Sequence, residues 1–187
     1  MFNLLEHPVR PAGQSADLPG VLAGQQQRID QQFRRTLSAA GEDRHTAFGE
    51  LAWLIAVHET IEEEVVHPIT RHLEPAEHLA EHLLDEERRI SEALDDIVRV
   101  DAAAGLGEVD GLVVLHQMLT THIRRELHEE FPRLRLAVAA GELQDLGDVI
   151  RVAQARATVE SPVRPGVPQA SLQVRDVLRP TWQQVSA

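Results

Sequence analysis

The sequence contains no cysteine and no tyrosine, and its aromatic residues are limited to four Phe and two Trp. The absence of cysteine excludes disulfides, thiolate-bound metal and a cysteine nucleophile, so any metal must be held by imidazole, carboxylate or amide oxygen. The scarcity of aromatic rings makes stacking on nucleobases a poor expectation. The metal ligands that remain are hard or borderline donors.

Basic residues are few, 18 against 30 acidic residues, which gives a formal net charge of −12 at pH 7. This balance argues against nucleic acid or an anionic membrane surface as a partner. No apolar run approaches the roughly 18 residues of a membrane span, and the amino terminus lacks the basic and apolar regions of a signal peptide. We therefore expect a cytoplasmic protein without a nucleic-acid or membrane partner, and the oligomeric state is left open.

Apolar residues recur at helical spacing along most of the 187 residues, and no strand-like alternation competes with them. The length suits one domain with tails. Four stripes of similar length are joined by short connections, which favours an all-α, antiparallel up-down four-helix bundle. The predicted organisation is an N-terminal tail over residues 1–19, the bundle over residues 20–133, and a C-terminal extension over residues 134–187 with helical pieces broken by proline.

Glycine and proline set the expected limits of the four helices. The first is expected over about residues 20–40, and the second from Phe48 to near Pro68, where proline should end it. The third is expected over about residues 75–102 and the fourth over about residues 109–131.

Two segments repeat one layout of histidine and glutamate. "HETIEEEVVHP" places His58 four residues before Glu62, "HIRRELHEEFP" places His122 four residues before Glu126, and each histidine is followed ten residues later by a proline. Residues i and i+4 of a helix lie one above the other, so each pair offers a nitrogen and a carboxylate to one point in the core. Because an uncompensated buried carboxylate costs several kcal/mol, it is found protonated, paired or bound to a cation. Two facing pairs predict a metal site suited to iron or manganese.

These paired HxxxE segments, each followed by a proline, resemble the hemerythrin-like HHE cation-binding family over roughly residues 20–133. The resemblance implies a bundle that holds a non-haem di-iron centre, with two Fe2+/Fe3+ ions bridged by carboxylates and by an oxo or hydroxo group. It implies His58 and His122 as terminal ligands and Glu62 and Glu126 as bridging carboxylates. Members of the family bind dioxygen, respond to redox state or nitric oxide, or decompose hydrogen peroxide.

The first helix departs from the family pattern. A histidine is usual where this chain has Gln26, three residues before Ile29 and seven before Phe33. A glutamine carbonyl binds iron more weakly than imidazole does. Gln26 is therefore either a weak ligand that leaves one iron open to water and peroxide, or only a polar core residue. Reversible oxygen carriage is less expected in both cases.

The third helix offers more donors than one site requires. "AEHLAEHLLDEERRI" contains His78 and His82 four residues apart, with Glu86 and Glu87 one turn later. Two registers fit: His82 with one of the glutamates, or His78 with His82. We favour His82 with Glu86, because both flank Leu83 in the apolar stripe, and keep Glu87 and His78 as alternatives.

His67 follows His58 by nine residues, which at 100° per residue places it about half a turn away. Exposure to solvent or contact with a loop is the first expectation for His67. A place close to the metal is the alternative.

The functional expectation is a non-haem di-iron protein that reacts with hydrogen peroxide or dioxygen, with catalase-like or peroxidase-like turnover left open. The alternative is an iron-binding module that senses oxygen, nitric oxide or redox state without turnover. A metal-free helical adaptor, with its buried imidazoles and carboxylates satisfying each other, is a third interpretation.

Overall fold

A computed structural model describes residues 16–73, 77–104, 110–159, 174–176 and 178. Within this part of the chain all regular secondary structure is helical, which confirms the predicted all-α class. Most of the predicted N-terminal tail lies outside the described residues, as do residues 160–173, 177 and 179–187 of the predicted extension. None of the described helices is both long and apolar enough to cross a membrane.

The described helices are mostly α-helical, and two of them widen into short π-helical segments. The α-helices, in chain order, are α1 Leu18–Ser38, α2 Gly41–Ile61, α3 His67–Arg71, α4 Glu77–Ala104, α5 Asp110–Arg125, α6 Phe131–Ala137 and α7 Ala140–Val159. The first π segment is Glu62–Val66 and the second π segment is Glu126–Glu130.

The start of α1 follows from local capping. Asp17 Oδ1 accepts a hydrogen bond from the N–H of Gly20 at 3.0 Å, and Pro19 occupies the first turn, where its missing N–H costs nothing. The next helix begins at Gly41, whose φ of 54° lies in the region that favours glycine. This tight connection lets α1 pack along α2.

Neither proline ends its helix, so the prediction that helices stop near Pro68 and just before Pro132 was wrong. The chain stays helical through both prolines into α3 and α6. Upstream of each proline, the N–H of the preceding residue donates to the carbonyl five residues back, that of Glu62 or of Glu126. Because proline has no N–H and its ring crowds the carbonyl four residues earlier, a wider π turn accommodates it without breaking the helix.

The buried apolar side chains form two clusters. The first includes Leu22 and Phe131, and the second includes Phe33 and Leu119. The two clusters are separated by buried polar residues along α1 and along the continuous helical stretch from α5 to α6. The buried polar layer consists of Gln25, Gln26, His58, Glu62, Glu87, His122 and Glu126.

The described part of the C-terminal extension belongs to the core. Helix α7 packs along α1, and Leu143 and Ile150 join the first cluster. Val174 and Leu178 are buried in that cluster as well. The extension therefore contributes to the packing that surrounds the polar layer.

Candidate metal centre

Three carboxylates and one imidazole meet in the buried polar layer. Glu62, Glu87, His122 and Glu126 each place one donor atom within 4.8 Å of the others, and all four residues are buried. His122 Nε2 lies 3.3 Å from Glu126 Oε1 and 3.9 Å from Glu62 Oε2. Oxygen and nitrogen donors gathered in this way are those that iron or manganese takes in helical proteins.

His58 adds a second imidazole next to Glu62. Its Nε2 lies 3.2 Å from Glu62 Oε1, and its Nδ1 lies 2.8 Å from Gln25 Oε1. Because Gln25 Nε2 donates to Gln154 Oε1 at 3.3 Å, it is the carbonyl of Gln25 that accepts from Nδ1–H. Burial lowers the pKa of His58 to about 4, so the ring is neutral at pH 7. Its Nε2 is thus a free lone pair beside the carboxylates.

His122 is oriented by a carboxylate on the opposite side of its ring. Its Nδ1 lies 3.2 Å from Glu86 Oε2, and Arg125 donates a short hydrogen bond to Glu86 Oε1. Burial would raise the pKa of Glu86, but His122 and Arg125 outweigh it and lower that pKa. Glu86, predicted as a ligand, therefore contacts the far nitrogen of His122 and leaves Nε2 facing the cluster.

The buried carboxylates do not carry equal charge when no cation is present. Burial and the neighbouring Glu126 raise the pKa of Glu62 well above its usual value, and burial also raises the pKa of Glu87. Burial alone would raise the pKa of Glu126, but His122 outweighs it and lowers that pKa. A cation that binds here therefore competes with protons for these carboxylates.

Several polar atoms of the cluster have no hydrogen-bond partner among the described residues. These buried atoms are His58 Nε2, both carboxylate oxygens of Glu62, His122 Nε2 and Glu126 Oε1. Each unmade hydrogen bond of this kind costs about 1–3 kcal/mol. The oxygens of Glu62 and Glu126 and the Nε2 lone pair of His58 converge, and a metal cation that displaces the proton of His122 would satisfy all of these atoms together, so the residues present fit a bound metal.

Gln26 touches the centre through a carboxylate. Its side chain is buried, and its Nε2 donates to Glu126 Oε2 at 2.8 Å. Its carbonyl Oε1 is buried and has no partner among the described residues. The predicted weak ligand is thus within the centre, and its ligation of iron stays a prediction.

The third predicted helix presents Glu87 to the centre instead of its histidines. The side chains of His78 and His82 are 87% and 59% exposed, and His82 Nε2 lies 3.7 Å from Glu86 Oε1. The structure therefore does not bring His78 or His82 to the cluster. The buried positions of α4 alternate at spacings of three and four residues: Ala80, Leu83, Glu87, Ile90 and Leu94.

His67 is buried, so the first expectation of solvent exposure was wrong. Its Nε2 lies 2.6 Å from Glu87 Oε1 and its Nδ1 lies 3.0 Å from Glu130 Oε1. The phase argument assumed a regular α-helix, whereas the first π segment takes more residues per turn and rotates His67 inward. Burial would lower the pKa of His67, but Glu130 and Glu87 raise it to about 10. His67 therefore holds one oxygen of Glu87.

Five residues around the centre were not anticipated from the sequence. Gln25 orients His58, and Thr70 Oγ1 donates to Glu130 Oε1 at 2.6 Å. Ser91 Oγ donates to Glu59 Oε2 at 2.8 Å, and burial raises the pKa of Glu59 to about 8. The only signal for Gln25 was its place beside Gln26 on an apolar helix face. The inward phase of Glu130 depends on the second π segment, which periodicity does not reveal.

Comparisons with known proteins bear on the same stretch of chain. The family described as "Hemerythrin HHE cation binding domain" matches residues 19–134, which include both HxxxE pairs and Glu87. No curated protein and no solved structure gives a match. The description of this family, cation binding, agrees with the donor set that the structure brings together.

Proposed function

Because the chain belongs to the hemerythrin HHE cation-binding domain family, we propose that its buried cluster holds two iron ions and reacts with hydrogen peroxide or dioxygen. The observation that carries this proposal is that buried nitrogen and oxygen atoms able to bind a metal converge without hydrogen-bond partners among the described residues. These atoms belong to His58, Glu62, His122 and Glu126, the four residues of the two HxxxE pairs. In a metal-free adaptor these atoms would have only each other, and the protons they share, as partners.

Each residue of the centre has a proposed role. His58 and His122 each offer one Nε2 lone pair as terminal ligands, because Gln25 and Glu86 hold their Nδ1 atoms. Glu62 and Glu126 each carry two oxygens, which lets one carboxylate span two cations. Glu87 supplies a further carboxylate. A shell richer in carboxylate than in imidazole suits iron or manganese better than soft metals.

We infer that α1, α2, α4 and α5 form the up-down antiparallel bundle predicted over residues 20–133. Side chains from all four of these helices, or from their π extensions, meet in the polar layer. Helix α1 packs along α2, and α4 packs along α5. These contacts support the bundle, with residues 134–187 as its extension.

Peroxide decomposition fits the donor set better than reversible oxygen carriage. When bound, an iron pair supplies two electrons that turn one hydrogen peroxide and two protons into two waters, and recovers them as a second peroxide becomes dioxygen and two protons. Gln26 offers an amide where an imidazole would bind more strongly. Its Nε2 donates to Glu126 and its Oε1 has no partner among the described residues, so an iron held here would meet from α1 only an amide oxygen, which binds more weakly than imidazole.

A sensing role is supported by a different observation. Arg175 of the C-terminal extension donates to Glu63 and Glu64, which directly follow Glu62 in the first π segment. A shift of Glu62 on a change of redox state or on binding of nitric oxide would therefore be passed to the extension. Sustained consumption of peroxide at many equivalents per iron would exclude sensing as the whole function.

The proposal is tested by loading the protein with ferrous iron without oxygen and then adding air or peroxide. We expect about two irons per chain, near-ultraviolet charge-transfer bands after oxidation, and continued loss of peroxide. Glu126→Gln should lose iron together with the stabilisation that iron gives, about 2.7 kcal/mol at a hundredfold excess over Kd. The exposed Glu129→Gln, on the same helical stretch, is the matched control. Retention of less than one iron per chain by the unmodified protein would contradict the proposal.

A further inference from the structure

A cleft of about 440 Å³ lies directly beside the centre. It is formed by residues of α2 and the first π segment, by α4, and by Arg175 of the C-terminal extension. Glu87 belongs both to the lining of this cleft and to the cluster of donors. The cleft therefore reaches the centre at Glu87, and its volume lies within the range of small-molecule sites.

The polar lining of the cleft favours a neutral solute. Its two guanidinium groups already have carboxylate partners: Arg88 pairs with Asp85 at 2.9 Å, and Arg175 pairs with Glu63 and Glu64. An anion would thus have to compete for a paired cation close to the carboxylate of Glu87.

Glu59 supplies a second and independent observation. It lines the cleft, and its Oε2 accepts from Ser91 Oγ, while its Oε1 is buried without a partner among the described residues. A buried carboxyl oxygen of this kind accepts a hydrogen bond when Glu59 is ionised and can donate one when Glu59 is protonated, so it is satisfied by a small solute that does both. Hydrogen peroxide is such a solute and carries no charge at neutral pH.

We propose that this cleft is the route by which small neutral hydrogen-bond donors, hydrogen peroxide among them, reach the Glu87 side of the centre, and that Arg175 narrows the route. The proposal rests on the proposed function for the identity of the solute. A second cleft, of about 270 Å³, is lined by Glu86, Met118 and Thr121. Of the residues around the centre, this second cleft contacts only Glu86, which lies on the Nδ1 side of His122. It serves as the competing route in the test.

The cleft can be probed without metal, because the sequence has no cysteine. Ser91→Cys puts a single thiol into the cleft, and Thr121→Cys puts one into the competing cleft. Each is treated with neutral iodoacetamide and with anionic iodoacetate. We expect a several-fold larger preference for the neutral reagent in Ser91→Cys than in Thr121→Cys. An equal preference in the two variants, or an unreactive thiol in folded Ser91→Cys, would overturn the proposal.

The same assay tests whether Arg175 narrows the cleft. Arg175→Gln in the Ser91→Cys background should raise the rate with iodoacetamide several-fold, since the shorter side chain no longer spans to Glu63 and Glu64. Arg175→Lys keeps the charge and should have a smaller effect. If neither substitution changes the rate of reaction with iodoacetamide, Arg175 does not narrow the cleft.

Blocking the cleft tests whether it leads to the centre. Both cysteine variants are labelled with one bulky neutral maleimide, loaded with ferrous iron without oxygen, and mixed with peroxide in stopped flow. The label at position 91 should slow oxidation by on the order of tenfold, equal to about 1.4 kcal/mol, whereas the label at position 121 should not. An unchanged rate with iron retained would overturn the proposed route. Failure of the unlabelled protein to retain iron would instead contradict the proposed function. The rates of thiol labelling would still show whether neutral solutes enter the cleft in preference to anions.

Discussion

The two histidines of the centre are held by partners of different charge. His58 donates from Nδ1 to the neutral amide of Gln25, whereas His122 lies against the carboxylate of Glu86. A carboxylate partner makes an imidazole a stronger base and therefore a stronger metal ligand. We expect the two metal positions of the proposed di-iron centre to differ in affinity for this reason, with the position beside His58 the weaker.

Gln25→Ala should lower the affinity of the metal position beside His58 by about 10–100-fold, because the ring loses the acceptor that fixes its tautomer and orientation. Competition with a coloured chelator measures the affinity. Gln31→Ala, an exposed position on the same helix, is the control and should bind as the unmodified protein does. Equal affinities in all three proteins would show that Gln25 does not orient the ligand.

Glu59 makes the stability of the metal-free protein depend on pH. Its pKa is raised from an ordinary 4.5 to about 8, so between these values the folded protein holds a proton that the unfolded chain has lost. The free energy of unfolding therefore falls as pH rises through this window, by up to about 1.4 kcal/mol per pH unit. Glu59→Gln should flatten this slope. The free energy of unfolding of the variant, relative to that of the unmodified protein, should therefore be higher at pH 8 than at pH 5.

Urea unfolding at a series of pH values measures this effect. The exposed Glu92→Gln on α4 is the control and should keep the slope of the unmodified protein. A slope that is just as steep in Glu59→Gln would assign the pH dependence to other groups.

At the scale of the elements, the two π segments decide which side chains face the centre. Each begins at the glutamate of an HxxxE pair and ends just before the residue that precedes a proline. A π turn adds one residue to the helix, so it rotates everything downstream relative to everything upstream. In this way His67 and Glu130 become buried partners, although regular helical phase would turn His67 away.

Deleting Glu129 should be tolerated better than deleting Gln117. The N–H of Phe131 already donates to the carbonyl of Glu126, five residues back, and removal of Glu129 turns this bond into a regular α-helical one. Removal of Gln117 from α5 instead rotates the helix on one side of the deletion by about 100° relative to the other. Circular dichroism melting compares the two variants, and equal losses of Tm would contradict the argument.

At the scale of the whole molecule, the extension and the matched domain share one core. Helix α7 packs along α1, and the side chains of Val174 and Leu178 are buried in the cluster that contains Phe131. The ion pairs of Arg175 with Glu63 and Glu64 join the same segment to the first π segment. Stability of the centre and docking of the extension are therefore coupled through packing.

Leu178→Ala should lower the free energy of unfolding by about 2–5 kcal/mol, because it removes buried apolar atoms and leaves a cavity. Val152→Ala is the control: this side chain is 52% exposed, and its loss should change stability by less than about 0.5 kcal/mol. Chemical unfolding followed by circular dichroism gives both values. A result for Leu178→Ala as small as that of the control would show that the segment does not dock in solution.

The sequence by itself determined the features that depend on local spacing. Helical periodicity indicated the all-α class, and the i, i+4 spacing placed His58 beside Glu62 and His122 beside Glu126, because these relations hold within a single helix. The family resemblance also pointed to Gln26, which stands where a histidine is usual. The choice among the donors of α4 was harder, since Glu86 and Glu87 both lie next to the apolar stripe.

Only the tertiary structure decided which of these donors face the centre. The rotation of α4 against its neighbours brings Glu87 inward, leaves His78 and His82 exposed, and sets Glu86 behind His122. These outcomes depend on contacts between helices, which no single helix contains. The inward turn of His67 follows from a helix that widens ahead of a proline instead of stopping, because packing on both sides keeps the chain helical.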